Sequence, residues 1–198
     1  MKIKKIIESH IIESMAVKKA VLNKNLPQII KTAEVLIETY WKNGGTVYVF
    51  GNGGSSCDAQ HFAEELTSAF RTLERWSLPA HALSDNGAVL TAIGNDYGFD
   101  YIFARQLEGV AKKGYLVIAF STSGNSINIV RALEVAKRRG IKTVGFLGKK
   151  GGKAAKIVDI PIIIPSNSTD HIQECHITIA HSLCKIIEEL FFDTNERK

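Results

Sequence analysis

Thr46-Val47-Tyr48-Val49-Phe50-Gly51-Asn52-Gly53-Gly54-Ser55 is the stretch that decides the fold. An apolar run ending in a glycine turn reads as a buried strand that feeds a helix. Such a turn builds an anion cradle, because its backbone N–H groups point outward and the helix N-terminus is partly positive. His61 and Glu65 follow four residues apart, so they share one face of the helix leaving the cradle. One short segment therefore offers an anion site, a base and a pair of metal-ligand types. That combination suits chemistry on a small phosphorylated or polyhydroxy substrate. The glycines alone prove less, since a tight turn with no ligand would use them too. They do not form the dinucleotide fingerprint, because Ser56 stands where its third glycine belongs. No acidic residue about 20 positions on ends a second strand, which argues against NAD. Gly148-Lys149-Lys150-Gly151-Gly152-Lys153, followed by Ala154, has the wrong spacing for a phosphate loop.

A second strand-loop-helix unit strengthens the case. Tyr115–Phe120 is continuously apolar, as in a strand buried on both faces. Ser121-Thr122-Ser123-Gly124-Asn125-Ser126 follows, and then a helical pattern from Ile127 to Arg139. These hydroxyls and amides exceed what an ordinary helix cap uses. Together with backbone N–H groups they can enclose a phosphate without a fixed cation.

The rest of the chain continues this rhythm. Ile3, Ile6, Ile7, Ile11 and Met15 recur at helical spacing, which predicts a helix over 3–23. Asn25 and Pro27 predict a second helix start, continuing from Ile29 to Trp41 until Asn43-Gly44-Gly45 stops it. Thr46–Phe50 is the first strand, and 56–70 the helix with His61 and Glu65. A short strand is expected at His81–Ser84, a helix from Asn86 or Gly87 to Gly94, a turn at Asn95–Gly98 and a helix over Asp100–Lys112. Strands at 115–120, Thr143–Leu147 and Asp159–Ile164 alternate with helices at 127–139 and Gly152–Ile157. A last helix covers Thr169–Phe192. Strands alternating with helices imply a parallel sheet covered on both faces, with ligands beyond the strands' carboxyl ends. Both polar loops fall there. The expected fold is an α/β three-layer αβα sandwich on a five-stranded parallel sheet, preceded by N-terminal helices. All 198 residues are expected to form one domain, with 1–43 a helical extension suited to an oligomer interface.

Composition sets the outer limits. With 45% hydrophobic residues and mean hydropathy near zero, the chain reads as globular. Its net charge of +5 is dispersed rather than drawn into a stripe with aromatics, which argues against nucleic acid. No apolar run approaches the roughly 20 residues that cross a bilayer. The N-terminal apolar run is broken by Glu8, Ser9 and His10, unlike a signal peptide. Cys57, Cys175 and Cys184 lack C-x-x-C spacing and read as free thiols in a reducing cytoplasm, with Cys57 expected as a small buried residue.

On the last helix, Gln173, Ile177, His181 and Cys184 form one stripe. Gln173 and His181 lie about 12 Å apart along the axis, near enough for long side chains to converge on a group between them. A lone histidine on an apolar helix is ordinarily a satisfied core residue. The presence of His61 and Glu65 elsewhere weakens that reading of His181 without replacing it. His171 and His176 are read as structural or surface residues.

Taken together, Gly51–Ser55 with Asp58, His61 and Glu65, then Ala92–Gly98, then Ser121–Ser126, then Asp170 with Ile172-Gln173-Glu174 and His181, carry a resemblance. The chain resembles the phosphoheptose isomerase family of SIS (sugar isomerase) proteins over nearly its whole length. Ser121–Ser126 alone marks only the wider group of sugar-phosphate binders; His61, Glu65, Gln173 and His181 together are more specific. His171 departs from the pattern, which has arginine there, and touches at most a peripheral substrate contact. The resemblance implies conversion of sedoheptulose 7-phosphate to D-glycero-D-manno-heptose 7-phosphate, the first step toward heptose units of lipopolysaccharide or other surface glycans. It also implies a homotetramer with sites near subunit interfaces, and one zinc ion per subunit on residues matching His61, Glu65, Gln173 and His181.

The reaction suits the residues in its own right. Moving a carbonyl from C2 to C1 needs a base and a proton donor; Glu65 is the candidate base and His181 the candidate acid. Ser121, Ser123 and Ser126, with Thr122 and Ser55 beside them, are expected at the phosphate. Asn52, Gly53, Gly54, Asn95 and Asp96 are expected at the sugar, joined by Glu65 and Gln173. Asp170 is expected to orient a hydroxyl or a catalytic side chain. The alternative is a non-catalytic SIS-domain protein that associates with a replication initiator or senses a sugar phosphate. A base and an acid facing one pocket favour catalysis.

Overall fold

The computed structural model describes residues 2–192. Five parallel strands form its centre: β1 (Val47–Gly51), β2 (Ala80–Ala82), β3 (Leu116–Ser121), β4 (Lys142–Gly148) and β5 (Ile160–Ile164). Their order is β2-β1-β3-β4-β5. The direction of winding reverses between β1 and β3, whose register sets Gly51 beside Phe120. That reversal point is where sheets of this type open a crevice at their carboxyl ends.

Among the described residues six α-helices flank the sheet, α1 (Lys2–Ile37), α2 (Gly54–Thr67), α3 (Gly87–Asp96), α4 (Ala104–Val110), α5 (Ile127–Arg138) and α6 (Thr169–Phe191), and the helix expected over 152–157 is only a 3₁₀ turn at Ala154–Lys156. Strand side chains alternate between faces, so β3 sends Leu116, Ile118 and Phe120 one way and Val117 and Ala119 the other. On the first face they meet Leu36 of α1, Phe62 of α2 and Ile172, Ile179 and Leu183 of α6. On the second they meet Ile93 of α3, Leu107 of α4 and Ile129, Leu133 and Ala136 of α5. Each large side chain buried this way contributes about 1.5–3 kcal/mol. The three-layer αβα arrangement follows from this two-sided burial.

The N-terminal region differs from its sequence reading. Instead of two helices, one helix runs through Pro27 from Lys2 to Ile37. Proline removes one N–H, but tertiary packing outweighs this local preference. Close to Pro27, Asn25 is buried and its Nδ2 donates to the Ile163 carbonyl at 3.1 Å, fastening the helix to β5. The helix ends in a wider turn, Glu38–Lys42, closed by Asn43 N–H to the Glu38 carbonyl. Asn95 and Asp96 belong to the end of α3 rather than to a turn, and the expected helix over Asp100–Lys112 is reduced to a 3₁₀ turn at Phe99–Tyr101 followed by α4.

One buried ion pair orders the segment between α2 and β2. Glu188 of α6 accepts from Arg75 Nε at 2.7 Å and from the N–H groups of Phe70, Arg71 and Thr72 at 2.9, 2.8 and 3.1 Å. Arg75 also donates to the carbonyls of Trp76 and Glu65. Burial opposes ionisation of Glu188, but the guanidinium and the three N–H donors outweigh it and hold the carboxyl below its ordinary 4.5. This stabilisation is present above the unfolded-state pKa and lost as pH falls below it. Glu188→Ala leaves Arg75 uncompensated and should cost about 3–5 kcal/mol. In urea titrations the stability gap between wild type and Glu188→Gln should shrink as pH falls below about 4.5; a gap constant with pH would contradict the clamp.

Candidate active site

The two polar loops meet at the carboxyl ends of β1 and β3. Asn52, Ser55, Phe120, Ser121, Thr122, Ser123 and Ser126 line a cavity of about 70 Å³, sized for a small anion. Asn52 and Asn128 lock the loops together, each side-chain amide donating to the other at 2.9 Å. Ser121 and Ser123 accept from the N–H groups of Gly124 and Asn125 at 3.1 and 3.2 Å, which fixes the turn. Gly124 has φ +62°, and a Cβ there would overlap the carbonyl oxygen of Gly151. A far larger concavity, about 950 Å³, opens at the opposite end of the sheet around Lys113, Lys142 and Asp159. It lies at the amino ends of β3 and β4, away from both loops, so size here is a poor guide to chemistry.

The second group lies down α2. Glu65 Oε1 is 3.1 Å from His61 Nε2 and 3.9 Å from His181 Nε2. The two imidazoles stand edge to face at 5.0 Å, and Phe70 stacks on His181 at 5.5 Å. The Glu188–Arg75 clamp sets this arrangement, because it holds Phe70 by its N–H and binds the Glu65 carbonyl. Donor atoms of His61, Glu65 and His181 lie within 4.8 Å of one another. His181 Nε2 is buried and has no hydrogen-bond partner. Two imidazoles and a carboxylate, with the His181 nitrogen left without a hydrogen-bond partner, fit a divalent metal.

Gln173 lies apart from this triad. It packs against the first turn of α2, where a Cβ on Gly54 would collide with its amide. That places it at the cradle, about 10 Å along α2 from His61. Gly53, with φ +55°, caps the helix. Asn95 and Asp96 are exposed and bonded to each other at 2.8 Å, outside the small cavity. Asp170 is exposed too; it accepts from Ser168 Oγ and sits 3.6 Å from His10 Nδ1 of α1. His176 is buried against the Leu147 carbonyl at 3.2 Å, and burial pushes its pKa down to about 4, so it is neutral and structural. Cys57 is exposed rather than buried, because it lies opposite Ser55, Ala59 and Phe62 on α2. No disulfide joins the described cysteines.

Two features have no sequence signal. The Asn128 amide and the Glu188 clamp act across 76 and 113 positions, and neither stands in a motif. Asp58, by contrast, lies in the motif one turn before His61. Its Oδ2 is buried without a partner, and burial pushes the carboxyl up to about 6, with His61 pulling the other way.

Fold and site together define an α/β protein with a polar cavity at its strand ends and a His–Glu–His cluster. The SIS domain model matches residues 10–148. A phosphoheptose isomerase of Trichlorobacter lovleyi is 54% identical over 164 residues, 83% of each chain. The solved phosphoheptose isomerase structures from Francisella tularensis and Neisseria gonorrhoeae superpose with TM-scores of 0.89 each. Their identities are 36% and 34%; they cover 96% and 94% of this chain and 99% of their own. The chain belongs to the SIS domain family, among the phosphoheptose isomerases.

Ionised Asp58 costs stability, because its folded pKa is raised above the ordinary 3.8. The cost is absent below that value and complete above about 6. With chelator present, Asp58→Asn should therefore gain on wild type in urea midpoint as pH rises from about 4 to 8. A difference that does not grow over this range would show the carboxyl to be solvated.

Proposed function

We infer that this chain is an aldose–ketose isomerase converting sedoheptulose 7-phosphate to D-glycero-D-manno-heptose 7-phosphate. The observation that carries this reading is the meeting of Glu65 and His181, far apart in sequence, beside His61 in a chain of phosphoheptose isomerase lineage. A purely structural or sensory SIS protein has no use for a carboxylate and an imidazole so placed. The step supplies heptose for lipopolysaccharide or other surface glycans.

Glu65 removes a proton from C1 of the ketose, and its electrons form the C1=C2 bond of an enediol as O2 gains a proton from His181. Return of a proton to C2 and loss of one from O1 complete the aldose. Each general acid or base contributes about 10²–10⁴ in rate. His61, Glu65 and His181 would hold a divalent metal, assigned as zinc, one per subunit. When bound, it supplies positive charge for the oxygens on which negative charge develops. Glu65 Oε1 and His181 Nε2 face the cluster, leaving Glu65 Oε2 and His181 Nδ1 for proton transfer. The serine loop with Ser55 grips the phosphate, and Asn52, Gly53, Gly54, Asn95, Asp96 and Asp170 serve the sugar.

The dimensions favour sites shared between subunits. Glu65 is roughly 16 Å along α2 from the cradle at Gly54, longer than an extended seven-carbon sugar phosphate. A phosphate held by one protomer and a Glu65 triad from a neighbour would satisfy the span. Gln173 would then complete the metal set across that contact. Ile3, Ile7, Ile11 and Met15 leave α1 with an exposed apolar flank. Covering it in a homotetramer removes that surface from water. We accordingly assign 1–43 as the helical extension of a single SIS domain, in a cytoplasmic enzyme that binds neither nucleic acid nor membrane.

Glu65→Gln should lower turnover of sedoheptulose 7-phosphate by at least about 10²-fold while calorimetry still detects sugar-phosphate binding. Retained turnover would remove Glu65 as the base. Replacing Ser121 and Ser123 by Ala should raise KM about tenfold or more with a smaller change in kcat, since the phosphate is remote from C1. A collapse of kcat alone would mean that phosphate binding acts on the transition state.

A further inference from the structure

A second cluster of ligand-type side chains sits where α1 crosses the start of α6. His10 of α1 stacks at 4.7 Å, tilted, on His171 of α6. Glu174, one turn along from His171, faces both rings: its Oε1 is 3.6 Å from His10 Nε2 and its Oε2 is 3.8 Å from His171 Nδ1. Donor atoms of the three residues lie within 4.8 Å of one another. These separations exceed hydrogen-bonding distance. They approach the ligand–ligand spacing of about 3.3 Å that tetrahedral zinc bonds of about 2.0–2.1 Å produce.

The independent observation is His171 itself. It is only 4% exposed, and its buried Nδ1 has no hydrogen-bond partner. A buried, unsatisfied nitrogen is costly and calls for an occupant. Where relatives of this family are expected to carry arginine, this chain puts a metal-ligand type.

We propose that His10, His171 and Glu174 form a second metal site, specific to a borderline divalent cation such as Zn²⁺ or Co²⁺, that clamps α1 to α6. Its distance from the His181 triad is about 10–15 Å along α6. Two imidazoles and a carboxylate select such ions over Mg²⁺ or Ca²⁺. Asp170 Oδ2 at 3.6 Å from His10 Nδ1, and Glu13 Oε2 at 3.7 Å from His171 Nε2, stand outside the donors and add negative charge around a cation. Lys18 opposes the ion electrostatically. However, it donates to Glu174 Oε2 at 3.3 Å, as Ser14 Oγ also does, which leaves Oε1 directed at His10.

The test is Co²⁺ titration of chelator-stripped full-length protein, followed by absorption and by metal analysis after dialysis. Wild type should take up a second equivalent per chain beyond the one removed by His61→Ala. His10→Ala and Glu174→Gln should each weaken that second equivalent by at least about 100-fold while leaving the first in place. His10 is half exposed, so its replacement tests the site even if His171→Leu fails to fold. Uptake of a single equivalent by wild type, or a second equivalent untouched by both His10→Ala and Glu174→Gln, overturns the proposal. Neither result depends on turnover, so the isomerase reading stands or falls separately.

Discussion

The parallel pairing of β1 with β3 is the constraint from which the rest of the molecule follows. Those strands are far apart in the chain, yet their register brings Gly51 level with Phe120. The glycine turn and the serine loop must therefore emerge side by side. Neither loop alone makes an enclosed site. Together they close a small polar cavity, and the Asn52–Asn128 amide pair fixes their separation. A register slip of one residue would turn every β1 side chain to the opposite face and part the loops. The buried side chains on both faces of β1 and β3 prevent it, since such a slip would disrupt both cores at once.

Much of this is written locally. Strands buried on both faces are continuous apolar runs, so Val47–Gly51 and Leu116–Ser121 could be read within a residue or so. Helical spacing put His61 and Glu65 on one face, but His181 joined them only through the family resemblance, since a lone histidine on an apolar helix reads as core. What stayed hidden depends on distant partners. Pro27 reads as a helix start, but burial of Asn25 against β5 carries α1 straight through it. Cys57 reads as core until the start of α2 fixes which face meets Phe62. Asn52–Asn128 and Arg75–Glu188 are pairings no local pattern encodes, and the second of these positions Phe70 over His181.

The division of the candidate residues within one protomer is informative for the same reason. α2 and α6 lie side by side in the same direction, so Gln173 meets Gly54 while His181 meets Glu65 further down. A rigid helix cannot shorten that interval, since each residue adds about 1.5 Å. The loop cavity at the strand ends and the His61–Glu65–His181 group therefore lie at successive levels along a common axis. Ile3, Ile7, Ile11 and Met15 leave an exposed apolar flank on α1, away from both groups.

α6 is the element on which these functions are spaced. Ile172, Ile179, Leu183 and Ile187 pack into the core and fix the helix rotation. Every polar position on it is thereby aimed in a set direction. His171 and Glu174 face α1, Gln173 faces the cradle, His181 faces Glu65, and Glu188 grips the segment after α2. Because one core stripe fixes all four directions, a change that rotated the helix would disturb the clamp, the triad and the α1 contact together. A change to a single polar side chain would disturb only its own. The buried ion pair at Glu188 stabilises little relative to an apolar pair, given the desolvation of both charges. Its retention is understandable instead as positioning, since the same guanidinium that neutralises Glu188 also binds the Glu65 carbonyl and so sets Glu65 against His181.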